Sequence, residues 1–452
     1  MTEKHNIKKI LIIKLSSIGD CLLATPAIES IRKAYPKSLI TWLIEDKSKD
    51  IALLNPHINK VIVIDKKNYR LKDYLKLAAA LKSEKYDMSI DLQGVDRTSL
   101  FAFLSGAKER YVEEYANLGF LSNKKINRKG RKPEHAAKFY LYLAASSGGA
   151  VLDNIKPLFK TNKADKDFAD KFISEKFSSD KNTVFIGINP GGAWATKKWP
   201  DEYFAKLLEL ILKKYNARIV IFGGKEDKIS AKNIISFLRS SLLSGASADA
   251  VNSDIYGKFV ADATGQTTLM QAKELIAKMD YFITGDSGLM HIAASIENGP
   301  EIISLFGPTS AELTGPIGED NIKILKSSLI CSPCFGKSCI LTDKKKDKKE
   351  MNFVKTNTAK DADNIDNINN INIYANANAG MSSDVNGKRD INVNVKNNDV
   401  INKASDSGIV NINKFDLDID LSVNSKQFAL CMKKICVRDV FRLISNKQDN
   451  QA

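Results

Sequence analysis

Asp286, Ser287 and His291 lie in the stretch YFITGDSGLMH, Tyr281 to His291, and their types and spacing suit an anionic, sugar-bearing ligand. The apolar run Tyr281 to Thr284 reads as a buried strand. Gly285, Asp286, Ser287 and Gly288 make a tight turn, and Leu289 to Ser295 reads as a helix. That order points the free N–H groups of a helix start past the strand's C-terminal edge, which is a ready-made anion site. Ser287 adds a hydroxyl, His291 lies one turn in, and Asp286 can accept hydrogen bonds from sugar hydroxyls. An ordinary strand-to-helix turn with an Asp/Ser cap would carry the same residues. The other turns of the chain must therefore weigh the two readings.

Three further polar turns follow apolar runs. SSIGD (16–20) offers Ser17, Gly19 and the carboxylate of Asp20. NPGGAWATKKWP (189–200) offers the hydroxyl of Thr196 and two cations, Lys197 and Lys198. FGGKED (222–227) offers glycines for close approach and Glu226 as an acceptor. Open α/β sheets bind ligands at the C-terminal ends of their strands. The set suits a nucleotide diphosphate whose departing phosphate is stabilised by lysines and helix N–H groups instead of Mg²⁺. Other chemistries lack their residues. No GxGxxG follows the first strand, and there is no HExxH or nucleophile elbow. FGKS near residue 337 resembles a Walker-loop tail, but Cys331 stands where its first glycine belongs. No Asp-x-Asp follows an apolar strand in a folded unit; DLDID (416–420) lies in a low-complexity stretch.

The elements that must position these turns alternate strand and helix. Strands are expected at 9–15, 39–44, 61–64, 88–92 and 109–112. Helices are expected from Cys21 to Tyr35, Leu71 to Lys82, after Gly94 through Leu104, and His135 to Ala145. Between them GFLSNKKINRKGRKPE (119–134) reads as a basic loop. It is either solvated surface or a clamp for a phosphorylated acceptor through Lys124, Lys125, Arg128 and Arg131. After Gly148-Gly149 the alternation restarts, with a last strand at Glu301–Leu305. This is an α/β chain of two Rossmann-like domains facing a cleft, at 1–150 and 165–341. Residues 342–425 are dominated by Asn, Asp and Lys and read as a disordered insertion; 426–446 reads as a C-terminal helix.

The 452 residues carry Lys+Arg 68 against Asp+Glu 53, a net +15, which favours anionic partners. No signal peptide and no bilayer-spanning apolar run is visible, so the expectation is a cytoplasmic protein, at most peripheral to a membrane. Five of the six cysteines lie beyond Ile330. Cys331, Cys334, Cys339 and Cys431 form C-x2-C-x4-C plus a distant Cys. Two readings stand: a structural zinc site or reduced thiols.

In this order and spacing, SSIGD, PGGAWATKKWP, FGGKED, GDSGLMH and LFGPT resemble glycosyltransferase family 9, the ADP-heptose:lipopolysaccharide heptosyltransferases of GT-B fold. The resemblance covers roughly residues 8–341 and 426–444, and is nearer to heptosyltransferase II than to I. It implies inverting transfer of a heptose from ADP-heptose to a lipid A–Kdo acceptor of the lipopolysaccharide inner core, on the inner face of the cytoplasmic membrane. It implies no catalytic cofactor. Asp20 would be the general base, Lys198 the diphosphate cation and Asp286 the heptose ligand, while Ser287, Gly288 and His291 would meet the phosphates. Ser17, Gly19, Thr196, Lys197 and Glu226 complete the expected donor set. The Asn-rich insertion departs from the family pattern. Competing readings are another GT-B enzyme, including a nucleotide-sugar epimerase, and a basic nucleic-acid-binding protein. The second lacks an RNA or DNA motif with interleaved aromatics, so no nucleic-acid partner is expected.

Overall fold

Two open parallel sheets carry the chain. The computed structural model describes residues 7–65, 70–178, 181–243, 257–318, 320–339, 409–410 and 429–449. The first half contains β1 (Lys9–Ile13), α1 (Ile18–Leu23), α2 (Thr25–Ala34), β2 (Leu39–Glu45), α3 (Asp50–Leu53), β3 (Lys60–Ile64), α4 (Leu71–Ser83), β4 (Met88–Asp91), α5 (Asp96–Leu104), β5 (Glu109–Glu113), β6 (Lys124–Ile126) and α6 (Ala136–Ser146). Its strand order is β3-β2-β1-β4-β5-β6. The order reverses between β1 and β4, and the crevice at such a switch point is where doubly wound sheets take ligands.

The second half contains α7 (Lys163–Lys176), β7 (Val184–Asn189), α8 (Asp201–Lys214), β8 (Ala217–Ile221), α9 (Lys228–Leu243), β9 (Val260–Asp262), α10 (Leu269–Ile276), β10 (Tyr281–Gly285), α11 (Gly288–Ala294), β11 (Glu301–Phe306), α12 (Ala311–Thr314), β12 (Ile322–Lys326), β13 (Ile409–Val410), α13 (Leu430–Lys433) and α14 (Val437–Asp449). Its order, β13-β12-β11-β10-β7-β8-β9, reverses between β10 and β7. Every described strand pairing is parallel. Helices cover both faces, so β1 and β10 are buried along nearly their whole length and read as apolar runs without alternation.

One continuous cluster of buried side chains includes Ile10, Ile28 and Trp42 from the first half and Val220, Phe282 and Ile292 from the second. The halves therefore share apolar packing. The C-terminal helices return to the second half: α14 packs on α8, and the Trp199 indole N–H donates to the Ile435 carbonyl at 3.0 Å.

Several expectations need correction. The helix expected from Cys21 to Tyr35 is two helices meeting at Ala24, with Pro26 in the first turn of α2. Proline supplies no N–H to a preceding turn, so a helix restarts there. Ile18, Gly19 and Asp20 are the opening turn of α1, not a loop. Lys124 and Lys125 lie on the edge strand β6, inside the expected basic loop. A further strand, β12, follows the one expected to be last. The C-terminal helix is divided into α13 and α14. Apart from Ile409–Val410, which pair with β12, the Asn-rich stretch 342–425 lies outside the described residues. Among the described residues no helix is long and apolar enough to cross a membrane.

Candidate active site

The turn after β1 is held from below by its neighbour at the switch point. Gln93, just past β4, accepts the N–H groups of Leu15 and Ser16 at 2.8 and 3.1 Å through Oε1. Asp91 in turn accepts from the N–H groups of Gln93 and Gly94. On this support the half-buried Asp20 carboxylate is fixed at both oxygens. Ser17 donates to Oδ2 through its hydroxyl at 2.9 Å and its N–H at 3.3 Å. Tyr140 of α6 donates to Oδ1 at 3.0 Å. Burial alone would raise the Asp20 pKa, but the Lys14 ammonium and the Ser17 and Tyr140 hydrogen bonds hold it below the usual carboxylate range. Asp20 is thus an ionised, oriented carboxylate at a sheet's ligand edge.

The facing turn after β10 is organised by Asn189, the last residue of β7. Its amide donates to Thr284 Oγ1 at 3.0 Å and to Ser287 Oγ at 2.8 Å. Ser287 caps α11 by accepting the Met290 N–H. Lys197 donates to Asp286 at 2.7 Å and lies over the Trp194 ring. Lys198 donates to Asp227 at 3.0 Å, and the other Asp227 oxygen accepts the Gly224 N–H. The adjacent lysines therefore reach two different turns and tie the 189–200 loop to both. No side chain fits at Gly191: a Cβ there would stand 2.5 Å from Asp227 Oδ2.

The two turns meet directly. A Cβ on Gly19 would lie 2.6 Å from His291 Cδ2, and one on Gly288 would lie 2.7 Å from Ile18. Helix α1 of the first half therefore rests on α11 of the second through glycines on both sides. His291 is 4% exposed. Burial lowers its pKa to about 4, so its imidazole is neutral at physiological pH. Its Nδ1 has no hydrogen-bond partner among the described residues.

Thus Asp20, Gly19, Ile18, Gly288, Ser287 and His291 are brought to one seam, with Lys197, Asp286 and Lys198 beside it. Thr196 is buried, and its hydroxyl donates to the Gly336 carbonyl at 2.7 Å, so it holds the cysteine-bearing loop. Glu226 is exposed on a single 3-10 turn, Lys225–Asp227. In the basic segment Lys124 and Lys125 are exposed. Arg128 stacks on Phe139 and pairs with Glu113 at 3.6 Å, while Arg131 lies 3.7 Å from the Tyr142 ring centroid and pairs with Glu134.

The four cysteines do converge. Cys331, Cys334, Cys339 and Cys431 line one cavity of about 130 Å³ with Thr196, Pro308 and Leu329. Burial raises the Cys331 thiol, and pushes the Cys431 thiol up to about 12. Among the described residues no three His, Cys, Asp or Glu side chains are arranged to hold a metal ion. The arrangement gathers four thiols in one largely apolar pocket, where burial disfavours the thiolate form of Cys331 and Cys431.

The profile of glycosyltransferase family 9 (heptosyltransferase) matches residues 74–345. This chain belongs to glycosyltransferase family 9. A lipooligosaccharide heptosyltransferase 2 of Haemophilus ducreyi is 28% identical over 323 residues, 70% of this chain and 88% of that protein. A lipooligosaccharide heptosyltransferase 2 of Campylobacter jejuni is 28% identical over 335 residues, 74% of this chain and 92% of that one. A family 9 glycosyltransferase structure from Veillonella parvula superposes with TM-score 0.60 at 26% identity, covering 76% of this chain and 91% of that one. The E. coli ADP-heptose heptosyltransferase II structure, at 21% identity and TM-score 0.57, covers 72% and 92% respectively and supports the same fold. The family 9 chain described here has the GT-B fold expected from its motifs.

Sequence reasoning missed Lys14, Gln93, Tyr140, Asn189 and Asp227. Asn189 was in view as the first residue of the 189–200 loop, and Asp227 as the last of FGGKED. Gln93 was visible just past the fourth apolar run. Tyr140 carried no signal, because its partner Asp20 is 120 residues away.

Proposed function

We propose that this glycosyltransferase moves a heptose from ADP-heptose to an anionic lipid acceptor of the lipopolysaccharide inner core, with inversion and without a catalytic metal. The single observation that carries the proposal is the seam at which the Asp20 turn of one domain touches the GDSG turn of the other. Asp20 acts as general base on the acceptor hydroxyl while that oxygen attacks the anomeric carbon on the face opposite the departing diphosphate. Inversion follows from attack and departure on opposite faces. Lys197, Lys198 and the α11 turn supply positive charge where the diphosphate takes up the bonding electrons. Asp286 accepts from sugar hydroxyls. Ser17, Ser287, Gly288, Glu226 and the neutral His291 imidazole complete the donor pocket.

Work at the inner membrane surface belongs to the same proposal. Lys124 and Lys125 stand exposed on edge strand β6, close in the chain to Phe120, which is 72% exposed. Exposed cations beside an aromatic suit an anionic headgroup layer. Arg128 and Arg131, stacked on aromatic rings, hold the segment in shape.

The test is a donor and acceptor screen of the purified protein. ADP should be released from ADP-heptose only when a Kdo-lipid A acceptor, with or without a first heptose, is present, and EDTA should leave the rate unchanged. Asp20→Asn should lower kcat by about 10²–10⁴ with donor Kd unchanged. Turnover of a different nucleotide sugar in preference, restoration by Mg²⁺ alone after EDTA, or wild-type kcat in folded Asp20→Asn would each overturn the corresponding part.

A further inference from the structure

A lysine buried at the end of an apolar strand needs a reason. Lys14 follows β1 directly and is 4% exposed. Its main chain is anchored on several sides. Its N–H donates to the Leu43 carbonyl at 3.3 Å, and its own carbonyl accepts the Trp42 indole N–H at 3.0 Å and the Cys21 thiol at 3.6 Å. The fold thus places this side chain deliberately, under the catalytic turn. An unpaired ammonium in such a place would be costly, and any apolar residue of similar length would fill the space. The titratable groups facing it are Tyr140, Asp20 and Cys21: the ammonium lies 4.7 Å from the Tyr140 ring centroid, Asp20 is the neighbouring carboxylate, and burial pushes the Cys21 thiol up to about 12. Tyr140 is also buried, and its hydroxyl spans to Asp20 Oδ1 at 3.0 Å. Tyr140 therefore links the two, meeting the Lys14 ammonium with its ring and Asp20 with its hydroxyl, the three residues coming from the end of β1, α6 and α1.

We propose that Lys14 and Tyr140 are positioning residues for the general base, fixing the orientation and the charge of the Asp20 carboxylate before the acceptor arrives. This rests on the reading of Asp20 as the base. The consequence for the reaction is its timing. A carboxylate stabilised by a cation and three hydrogen bonds is a weak base. It takes the hydroxyl proton only once the new bond from that oxygen to the anomeric carbon is substantially formed and the oxygen has become acidic. The bond from the anomeric carbon to the phosphate oxygen breaks with its electron pair leaving on ADP. The proton ends on Asp20 and passes to solvent after product release. Burial opposes the Lys14 charge, but the Tyr140 and Asp20 oxygens outweigh it and its pKa is raised, so the cation persists through the working pH range.

The test uses the full chain with Lys14→Met, Lys14→Arg, Tyr140→Phe and Asp20→Asn, each checked for folding by circular dichroism. kcat/KM is measured from pH 3 to 8.5 with ADP-heptose and acceptor, and donor Kd by calorimetry. In Lys14→Met the acid limb should move up by about one pH unit or more, because an opposite charge at this range shifts a carboxylate by about 1–3 units. Activity should recover as pH rises, donor Kd should hold, and Lys14→Arg should restore most of the wild-type profile. Tyr140→Phe should move the limb the same way by a smaller step. A uniform loss at every pH with the limb unmoved, or a donor Kd weakened tenfold, overturns the proposal. If Lys14→Met does not fold, Tyr140→Phe decides, and an unmoved limb there overturns it. If Asp20→Asn keeps wild-type kcat, the base reading itself fails; if Asp20→Asn is slow but neither limb moves, only the positioning role fails.

Discussion

Replacing Gly19 by alanine puts the seam between the domains under a calculable load. The added Cβ would meet His291 Cδ2 at 2.6 Å and Nε2 at 3.1 Å. Non-bonded carbons rest at about 3.5–4.0 Å, so one side must retreat by about 1 Å. The imidazole is buried and has little room to do so. Inserting a methyl into a filled core costs about 1–3 kcal/mol, and alanine's better helix propensity returns at most about 1 kcal/mol. The expected net loss is about 1–2 kcal/mol. It should be read in urea unfolding of Gly19→Ala, His291→Ala and the double variant. Trimming the imidazole makes room for the methyl, so the double variant should be more stable than the sum of the singles by about that amount. Turnover should suffer more than stability: Asp20 is the next residue, and a displacement of about 1 Å can cost roughly 10² in rate. A Gly19→Ala protein with wild-type stability and kcat, or a strictly additive double variant, would refute the contact as described.

Three further outcomes are expected. Lys197→Ala and Lys198→Ala should both weaken donor binding measured by calorimetry, and Lys198→Ala should also lower kcat because charge on the leaving diphosphate grows during transfer; an unchanged Kd in both would remove the lysines from the donor site. Deleting residues 345–424 should leave a soluble protein with wild-type kcat, and insoluble expression would mean the segment is structural. His291, lowered to about 4 by burial against an ordinary value of 6.5, is neutral in the folded state while the unfolded chain protonates first. Stability should therefore be fully present above pH 6.5 and decline as pH falls towards 4, by at most about 3 kcal/mol; His291→Leu should flatten that part of the unfolding curve, and an unchanged slope would show that other groups carry it.

Much of this molecule can be read from its letters, and the failures have physical causes. β1 and β10 are legible because parallel strands covered on both faces become unbroken apolar runs. The turns after them are legible because small, polar residues cluster there. β6 was missed because it holds a single buried residue, Ile126, after two exposed lysines, and an edge strand needs little more. The break at Ala24 was half-visible in Pro26, which signals a restart but not its position. Lys14 sits inside the apolar run 9–15, where its charge signals nothing by itself; its meaning depends on Tyr140, a partner that no local pattern can supply. The cysteine spacing correctly announced convergence, yet spacing does not fix where thiols point. Burial, not spacing, is what disfavours the thiolate form of Cys331 and Cys431.

Cys339 and Cys431 line the same small cavity, although 91 positions separate them in the chain. The two flanks of the Asn-rich stretch thus stand side by side in the fold. A segment with both ends clamped together costs only about 0.6 kcal/mol more for each doubling of its length. Added length between such ends is therefore cheap in closure entropy, whatever the intervening residues are. The same paired ends are a natural splice point for a reporter domain.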